Sequence, residues 1–301
     1  MNIQDLEQLY AQMPQVSALA REMGKATGTI YLEGLLASSA PMLFASLVAK
    51  RSSRLLFILQ DAEEAGYFYH DLTQLLGNRD VLFFPSSYRR AIKYAQRDSA
   101  SEILRTEVLA RLSEDAVNSQ LYIVSYPDAL AETVVSQKIL DTRTLVLEKD
   151  QTIAVADIEK TLREFGFREV DYVYEPGQFA LRGSILDVYS YSCEYPFRLD
   201  FFGDDIDSIR TFEVESQLSK DHRDHIEIVP ELATIADDKV PFLSFVPDDV
   251  MLVTKDFYYV RDAIDRAYQE GFSAQAKMER WSRPLRWNSM RLNASCAVSH
   301  N

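Results

Sequence analysis

Four short apolar runs dominate the first half of the chain, and their spacing narrows the possible folds more than any other feature. They are TIYLE (29–33), RLLFILQ (54–60), VLFFP (81–85) and LYIVS (121–125), and each is followed by a stretch of helical spacing, at 42–50, 62–76, 99–112 and 128–135. Strands that are apolar throughout must be covered on both faces. Helices between successive strands supply that cover, so the pattern predicts a parallel sheet with helical crossovers. In the third helical stretch Ile103, Leu104, Val108, Leu109 and Leu112 share one face behind Ser99, a candidate cap; that stripe is assigned to the core and given no other role. With 301 residues, 47% of them hydrophobic, the chain has material for one large domain or two compact ones.

The alternation breaks near residue 127. A polar, threonine- and charge-containing connection, LDTRTLVLEKDQT (140–152), leads into AVADIEKTLREF (154–165), where Val155, Ile158, Leu162 and Phe165 make one apolar stripe ended by Gly166. Strand patterns follow in quick succession: REVDYV, FALRGSILDVY, PFRLDFF and DIDSIRTF, with GDD at 203–205 closing the tightest hairpin. A helix packed on an antiparallel meander makes a small α+β module. From about Ile226 the alternating style returns with EIVP, MLVTK and a helix over 256–270, while the tail from Asn288 shows no periodicity and reads as a frayed end. The expected layout is an α/β domain in two segments, 1–126 and 217–301, the latter carrying the tail, with a module inserted between them at 127–216.

Charge and chemistry exclude several functions. Thirty-two basic against 46 acidic side chains give a formal charge of -14, so the molecule as a whole has no electrostatic attraction for phosphate backbones or anionic membranes. Cys193 and Cys296 form no C-x-x-C pair and have no close histidine cluster, which argues against a tetrahedral metal set. The start MNIQDLEQLYAQMPQ has neither a basic n-region nor an apolar h-region, and no window approaches the ~18 apolar residues of a membrane span. A reducing, cytoplasmic setting without a membrane partner is expected.

In a parallel sheet the loop after the first strand is where a phosphate cradle belongs, and here it reads GLLASSAP. Counting from Gly34, the positions of the second glycine, the lysine and the hydroxyl of a P-loop hold Ser39, Ala40 and Pro41, so the chemistry of phosphate and magnesium binding is missing. The strand VMLVTKD offers Val253, Thr254 and Lys255 before a single Asp256, where a nucleotide hydrolase would carry an acidic pair. The fold class expected is therefore α/β, a degenerate P-loop-like parallel-sheet domain interrupted by an α+β module with an antiparallel sheet. No catalytic residue, cofactor or metal is expected, and ATP hydrolysis by this chain is not. His222 and His225 in KDHRDH read as a solvated loop, His70 as structural or exposed, and Cys193 has no visible activating base.

Two stretches depart from the acidic average: SYRRAIKYAQR, with Arg89, Arg90, Lys93 and Arg97 beside Tyr88 and Tyr94, and RWSRPLRWNSMR, with Arg280, Arg283, Arg286 and Arg291 beside Trp281 and Trp287. Interleaved basic and aromatic residues can pair with phosphates and stack on bases. An alternative function, a nucleic-acid-binding or ATP-dependent DNA enzyme, would work through these clusters; the plainer account is a charged helix face or linker.

The run from Phe167 to Ser219 closely resembles the amino-terminal region of bacterial transcription-repair coupling factors and, more distantly, the matching domain of the excision-repair subunit UvrB. Its marks are the G-x-[FY]-x-x-R-G-x-x-x-D segment (Gly177, Phe179, Arg182, Gly183, Asp187), the R-[LV]-[DE]-x-F strand (Arg198, Leu199, Asp200, Phe202) and the D-x-I-D-S-[IL]-R-x-F strand ending at Arg210 and Phe212. The resemblance implies a non-catalytic adaptor, a fragment that mimics UvrB and recruits UvrA, coupling stalled transcription to nucleotide excision repair. RNA polymerase and DNA would be partners of a longer parent, as would an intramolecular contact with its carboxy-terminal domain. Two departures from UvrB stand out: no long aromatic hairpin separates VLFFP from Ser99, and Ala180 stands where UvrB has the first arginine of an R-x-R pair.

The resemblance matches Arg168, Arg182 and Tyr189 most directly to the family's contact surface, with Arg198 and Arg210 as further candidates. Strict alternation through FALRGSILDVY sends Phe179, Leu181 and Ile185 toward the helix stripe and leaves Arg182 on the opposite, open face. Arg198 and Arg210 share that face, paired with Asp200 and Asp207. The alternative is a solvent-facing ladder of charge pairs worth about 0.2 to 1 kcal/mol each. The glycine beside Arg182 would let a partner's backbone approach.

Overall fold

A computed structural model describes residues 3–25, 28–77, 80–87, 99–113, 119–235, 238–269 and 295–298. In chain order the elements are α1 (Ile3–Ala11), α2 (Pro14–Glu22), β1 (Thr29–Leu32), α3 (Ser39–Leu47), β2 (Arg54–Ile58), α4 (Ala62–Leu76), β3 (Val81–Phe83), α5 (Ser99–Ser113), β4 (Leu121–Ser125), α6 (Pro127–Leu130), β5 (Thr133–Val135), α7 (Gln137–Thr142), β6 (Leu145–Glu148) and α8 (Val155–Glu164). There follow β7 (Arg168–Glu169), β8 (Gln178–Arg182), β9 (Ile185–Tyr189), β10 (Phe197–Phe202), β11 (Asp205–Phe212), β12 (Ser219–Arg223), β13 (His225–Ile228), a 3-10 turn at Leu232–Thr234, β14 (Lys239–Pro241), α9 (Phe242–Phe245), β15 (Met251–Thr254), α10 (Phe257–Ala267) and β16 (Ser295–Val298). The chain divides into two compact units, one made of residues 1–96, 111–133 and 240–301, the other of 97–110 and 134–239.

The first unit is built on a six-stranded sheet in the order β1-β16-β15-β2-β4-β3, every described pairing parallel. Of the four runs expected to be covered on both sides, those forming β2 and β4 are inner strands, while β1 and β3 lie at the two edges. Leu55, Leu56, Phe57 and Ile58 of β2 and all five residues of β4 are buried. Phe57 meets Phe44, Phe68 and Tyr122 at ring-centroid distances of 4.8, 4.9 and 5.5 Å. Tyr122 tolerates full burial because its hydroxyl donates to the Phe44 carbonyl at 2.8 Å. Asp61 caps α4 by accepting from the Glu63 and Glu64 amides, and Gly77, at φ 78°, ends it.

The second unit holds a six-stranded sheet in the order β12-β11-β10-β9-β8-β7. One face is the core predicted from the α8 stripe: Ile158 and Leu162 pack with Phe179, Leu186, Val188, Phe197, Leu199 and Ile209, with Leu181 and Phe165 at the margin. The β10–β11 hairpin turns through Gly203 and Asp204, with Gly203 at φ 65°.

Several expectations are corrected. FALRGSILDVY is two strands, because Gly183, at φ 62°, and Ser184 form a tight turn that places Ile185 directly opposite Arg182. The glycine therefore serves the turn, and Ile185 lies on the Arg182 face of the sheet, outside the α8 core. REVDYV forms a strand only at Arg168 and Glu169, parallel to β8, with a last bond from the Val170 amide to the Phe179 carbonyl at 2.9 Å; further on, the Gln178 side chain accepts the Tyr174 and Glu175 amides at 2.9 and 3.1 Å. LDTRTLVLEKDQT is no plain connection: it holds the end of α7 and β6, and β6 pairs antiparallel with β13, so EIVP joins β6 instead of the parallel layer.

KDHRDH forms the exposed edge strand β12 and the start of β13. The helix expected over 128–135 stops at Leu130, since Thr133, Val134 and Val135 are β-branched and extend as β5. β1 lies at the sheet edge and is not covered on both faces, with Tyr31 exposed. Ser295–Val298, in the stretch read as a frayed tail, is a parallel strand between β1 and β15; four residues are too few for a periodicity to show. The amino-terminal helices α1 and α2, which contact α3, were not anticipated from the sequence.

Candidate partner-binding site

The five residues singled out in sequence all belong to the second unit, but they do not form one uniform surface. Across β8, β9, β10, β11 and β12 the register aligns Ala180, Asp187, Arg198, Arg210 and His222. These residues face away from the α8 core. That face is roofed locally by a second small cluster in which Val173 and Phe212 pack on Ala180, with Val170 and Tyr189 at its margin. Ala180 is fully buried under it and is a packing position.

Asp187 is the hub of this face. Its carboxylate is fully buried and accepts from Arg198 Nε at 2.7 Å and Arg198 Nη2 at 2.8 Å, a bidentate grip, and from Arg182 Nη2 at 2.5 Å. The expected partners are thus corrected: Arg198 pairs with Asp187, not with Asp200 or Asp207. The reason is register, because Asp187 is the residue directly across from Arg198. Hydrogen bonding to Asp187 pushes the Arg198 pKa up, holding the guanidinium charged. Arg198 also donates to the Gln217 carbonyl and side-chain oxygen at 3.2 and 3.1 Å, and stacks over Phe212 at 4.2 Å.

Arg210 pairs with Asp200, which also accepts from Ser208 at 3.0 Å, and Arg210 Nε is buried without a partner. Asp207 is exposed and belongs to neither pair. Arg198 is therefore largely consumed inside the unit, whereas Arg210, 27% exposed, has Asp200 as its ion-pair partner.

Arg182 differs. Besides Asp187, it donates to the Asp171 carbonyl at 2.8 Å and lies over the Tyr172 ring at 4.8 Å, yet its side chain is 33% exposed. Arg168, on edge strand β7, is more open at 69%, with Glu175 at 3.7 Å. Tyr189 is half-buried: its hydroxyl donates to the Glu194 carbonyl at 2.6 Å, and burial pushes its pKa up. The outer rim of the face is completed by two residues that sequence reasoning passed over, Tyr172 and Tyr174, which are 52% and 59% exposed on either side of fully buried Val173. The D-Y-V-Y-E alternation carried that signal. Gln178 holds this segment by its two amide bonds, and Gly177, at φ 80°, lies where a Cβ would press on Tyr191 at 3.3 Å.

Elsewhere, no cluster of three or more histidine, cysteine or acidic residues able to hold a metal occurs among the described residues. Burial pushes the Cys193 thiol up, away from nucleophilic use. No described helix is long and apolar enough to cross a membrane. Both basic clusters, Arg89, Arg90, Lys93 and Arg97 with their tyrosines and Arg280, Arg283, Arg286 and Arg291 with their tryptophans, lie outside the described residues.

Comparison with known proteins places a family match inside this unit. Residues 145–233 match the UvrB interaction domain, a span that includes all five candidate residues. Transcription-repair-coupling factors are similar over more of the chain: that of Haemophilus influenzae is 29% identical over 54% of it, that of Escherichia coli 25% over 74%, and that of Bacillus subtilis 28% over 65%. The matched segments span only 14%, 18% and 16% of those relatives.

Proposed function

We propose that this chain, which is related to the amino-terminal region of transcription-repair-coupling factors, is a non-catalytic docking module that mimics UvrB and recruits UvrA, linking stalled transcription to nucleotide excision repair. The observation that carries this reading is the split among the arginines of the second unit. Arg182 and Arg168 reach the rim beside exposed tyrosines, whereas Arg198, 14% exposed, is held inside the unit by Asp187 and Gln217. Arginine in a fixed pose beside exposed tyrosines is the composition of a protein-binding hot spot. Arg168, Arg182 and Tyr189 form the contact set, with Tyr172 beside them; Arg198 supports it from within, and Arg210, paired with Asp200, is a further candidate.

The module at 127–216 interrupts an α/β domain whose phosphate loop has lost its function. In the GLLASSAP loop the Ser39 hydroxyl accepts the Leu36 amide at 2.7 Å, and lysine and magnesium-binding hydroxyl are missing from their P-loop places. Lys255, at the end of β15, pairs with Glu64. No ATP turnover is expected from the chain. Contacts with RNA polymerase, DNA and a carboxy-terminal domain belong to a longer parent protein.

The experiment is calorimetric titration of purified UvrA into the chain, with Arg182→Ala alongside. Saturable binding that drops by about 30-fold or more in a folded Arg182→Ala variant is the expected result. A folded wild-type chain that does not bind UvrA overturns the proposal.

A further inference from the structure

We infer that Asp187 is a positioning residue for partner recognition: its buried carboxylate sets the guanidinium of Arg182 before any partner arrives. The inference rests on the reading of Arg182 as a docking residue.

Charge arithmetic on the buried face is the starting point. One carboxylate meets two guanidiniums. Arg198 takes both oxygens in a bidentate grip and has further acceptors on Gln217, so it satisfies Asp187 nearly alone. Arg182 adds a single bond to Oδ2, and the group of three keeps a net positive charge, carried at the one guanidinium that reaches the rim. Two further contacts complete its hold. The Asp171 carbonyl takes Nη1, and the Tyr172 ring covers one face of the guanidinium. These three contacts restrain the guanidinium, while the side chain stays 33% exposed to a partner. An acceptor edge of carboxylates or carbonyls is the matching chemistry.

Stability gives no reason for this arrangement. Replacing a buried ion pair by apolar residues of similar volume is commonly neutral or stabilising, whereas a fixed buried charge holds its neighbours in one geometry. The side-chain entropy of Arg182 is lost on folding here instead of on binding, which is how a preorganised site gains affinity.

The test uses the whole chain as wild type, Asp187→Asn, Arg182→Ala and the double variant, with UvrA affinity from calorimetry and folding from thermal unfolding. Nitrogen-15 spectra of the arginine guanidiniums are recorded without UvrA. The expected results are slowly rotating, resolved Arg182 signals in the wild type, about tenfold weaker UvrA binding by Asp187→Asn, and less than a twofold effect of that substitution in the Arg182→Ala background. An Asp187→Asn loss of equal size in both backgrounds means a merely structural role and overturns the inference. Freely rotating, averaged Arg182 signals in the wild type overturn it as well, even if Asp187→Asn does not fold. If the wild-type chain fails to bind UvrA, the recruiting proposal falls and takes this inference with it; if it binds while either of the first two results is seen, the inference falls alone.

Discussion

The two sheets of this chain solve the same problem in opposite ways. In the parallel sheet, β2 and β4 bury both faces with apolar side chains, and the polar hydroxyl of Tyr122 is admitted only because the Phe44 carbonyl receives it. In the antiparallel sheet one face is just as apolar, against α8, while the other buries a carboxylate among arginines. A strand covered on both sides can do little but hold the fold. A strand covered on one side has a second face on which charge can be placed, oriented and shown to a partner.

Four perturbations separate these two modes, in order of expected effect. Removing the Phe57 ring from the middle of the parallel sheet costs about 3–5 kcal/mol, measurable by urea denaturation. Asp187→Ala leaves the largely buried Arg198 without its counter-charge and costs about 3 kcal/mol, but the losses differ in kind: Asp187→Leu combined with Arg198→Met should regain most of it. If the combined variant stays as unstable as the single one, the charged face is a source of stability and the contrast between the sheets fails.

The third perturbation is alkaline pH. Burial raises the Tyr122 pKa to about 12, so the unfolded chain loses this proton first. The stability that depends on the neutral phenol is complete below pH about 10 and is lost as pH rises toward about 12, by up to about 1.4 kcal/mol per pH unit. Tyr122→Phe should flatten that segment of the denaturation profile. Smallest is Arg168→Ala, which should shift stability by no more than about 0.5 kcal/mol, because its ion pair is solvent-exposed, while weakening UvrA binding. A large stability loss would move Arg168 from the rim to the structural interior of the unit.

Local pattern reached some of these elements and not others. The runs LLFI and YIV announced themselves as doubly buried strands, and the α8 stripe pointed to Phe179, because each signal is complete within a few consecutive residues. FALRGSILDVY misled because alternation continues smoothly through Gly183 and Ser184, although a positive φ at the glycine turns the chain back. Local spacing points Arg198 to the wrong aspartate for a related reason: Asp200 is near in sequence, but Asp187 is opposite in register. Tyr172 and Tyr174 escape a local reading because their exposure depends on Val173 turning into the small cluster with Ala180 and Phe212, and on Gln178 holding the Tyr174 and Glu175 amides.

By itself the sequence determined the two kinds of sheet, the helix that covers one of them, the resemblance in the Phe167–Ser219 run and the absence of a P-loop pattern at Gly34, since composition, period and motif spacing are properties of neighbours along the chain. Only the tertiary structure decided that Asp187 would be the buried hub, that Arg198 would be spent within the unit, and that Arg182 would stay partly exposed at the rim. Those outcomes depend on which residues of β8, β9, β10 and the 170–177 segment meet across the sheet. A buried charge chooses among the partners that folding brings within reach, and that choice is not written in local spacing.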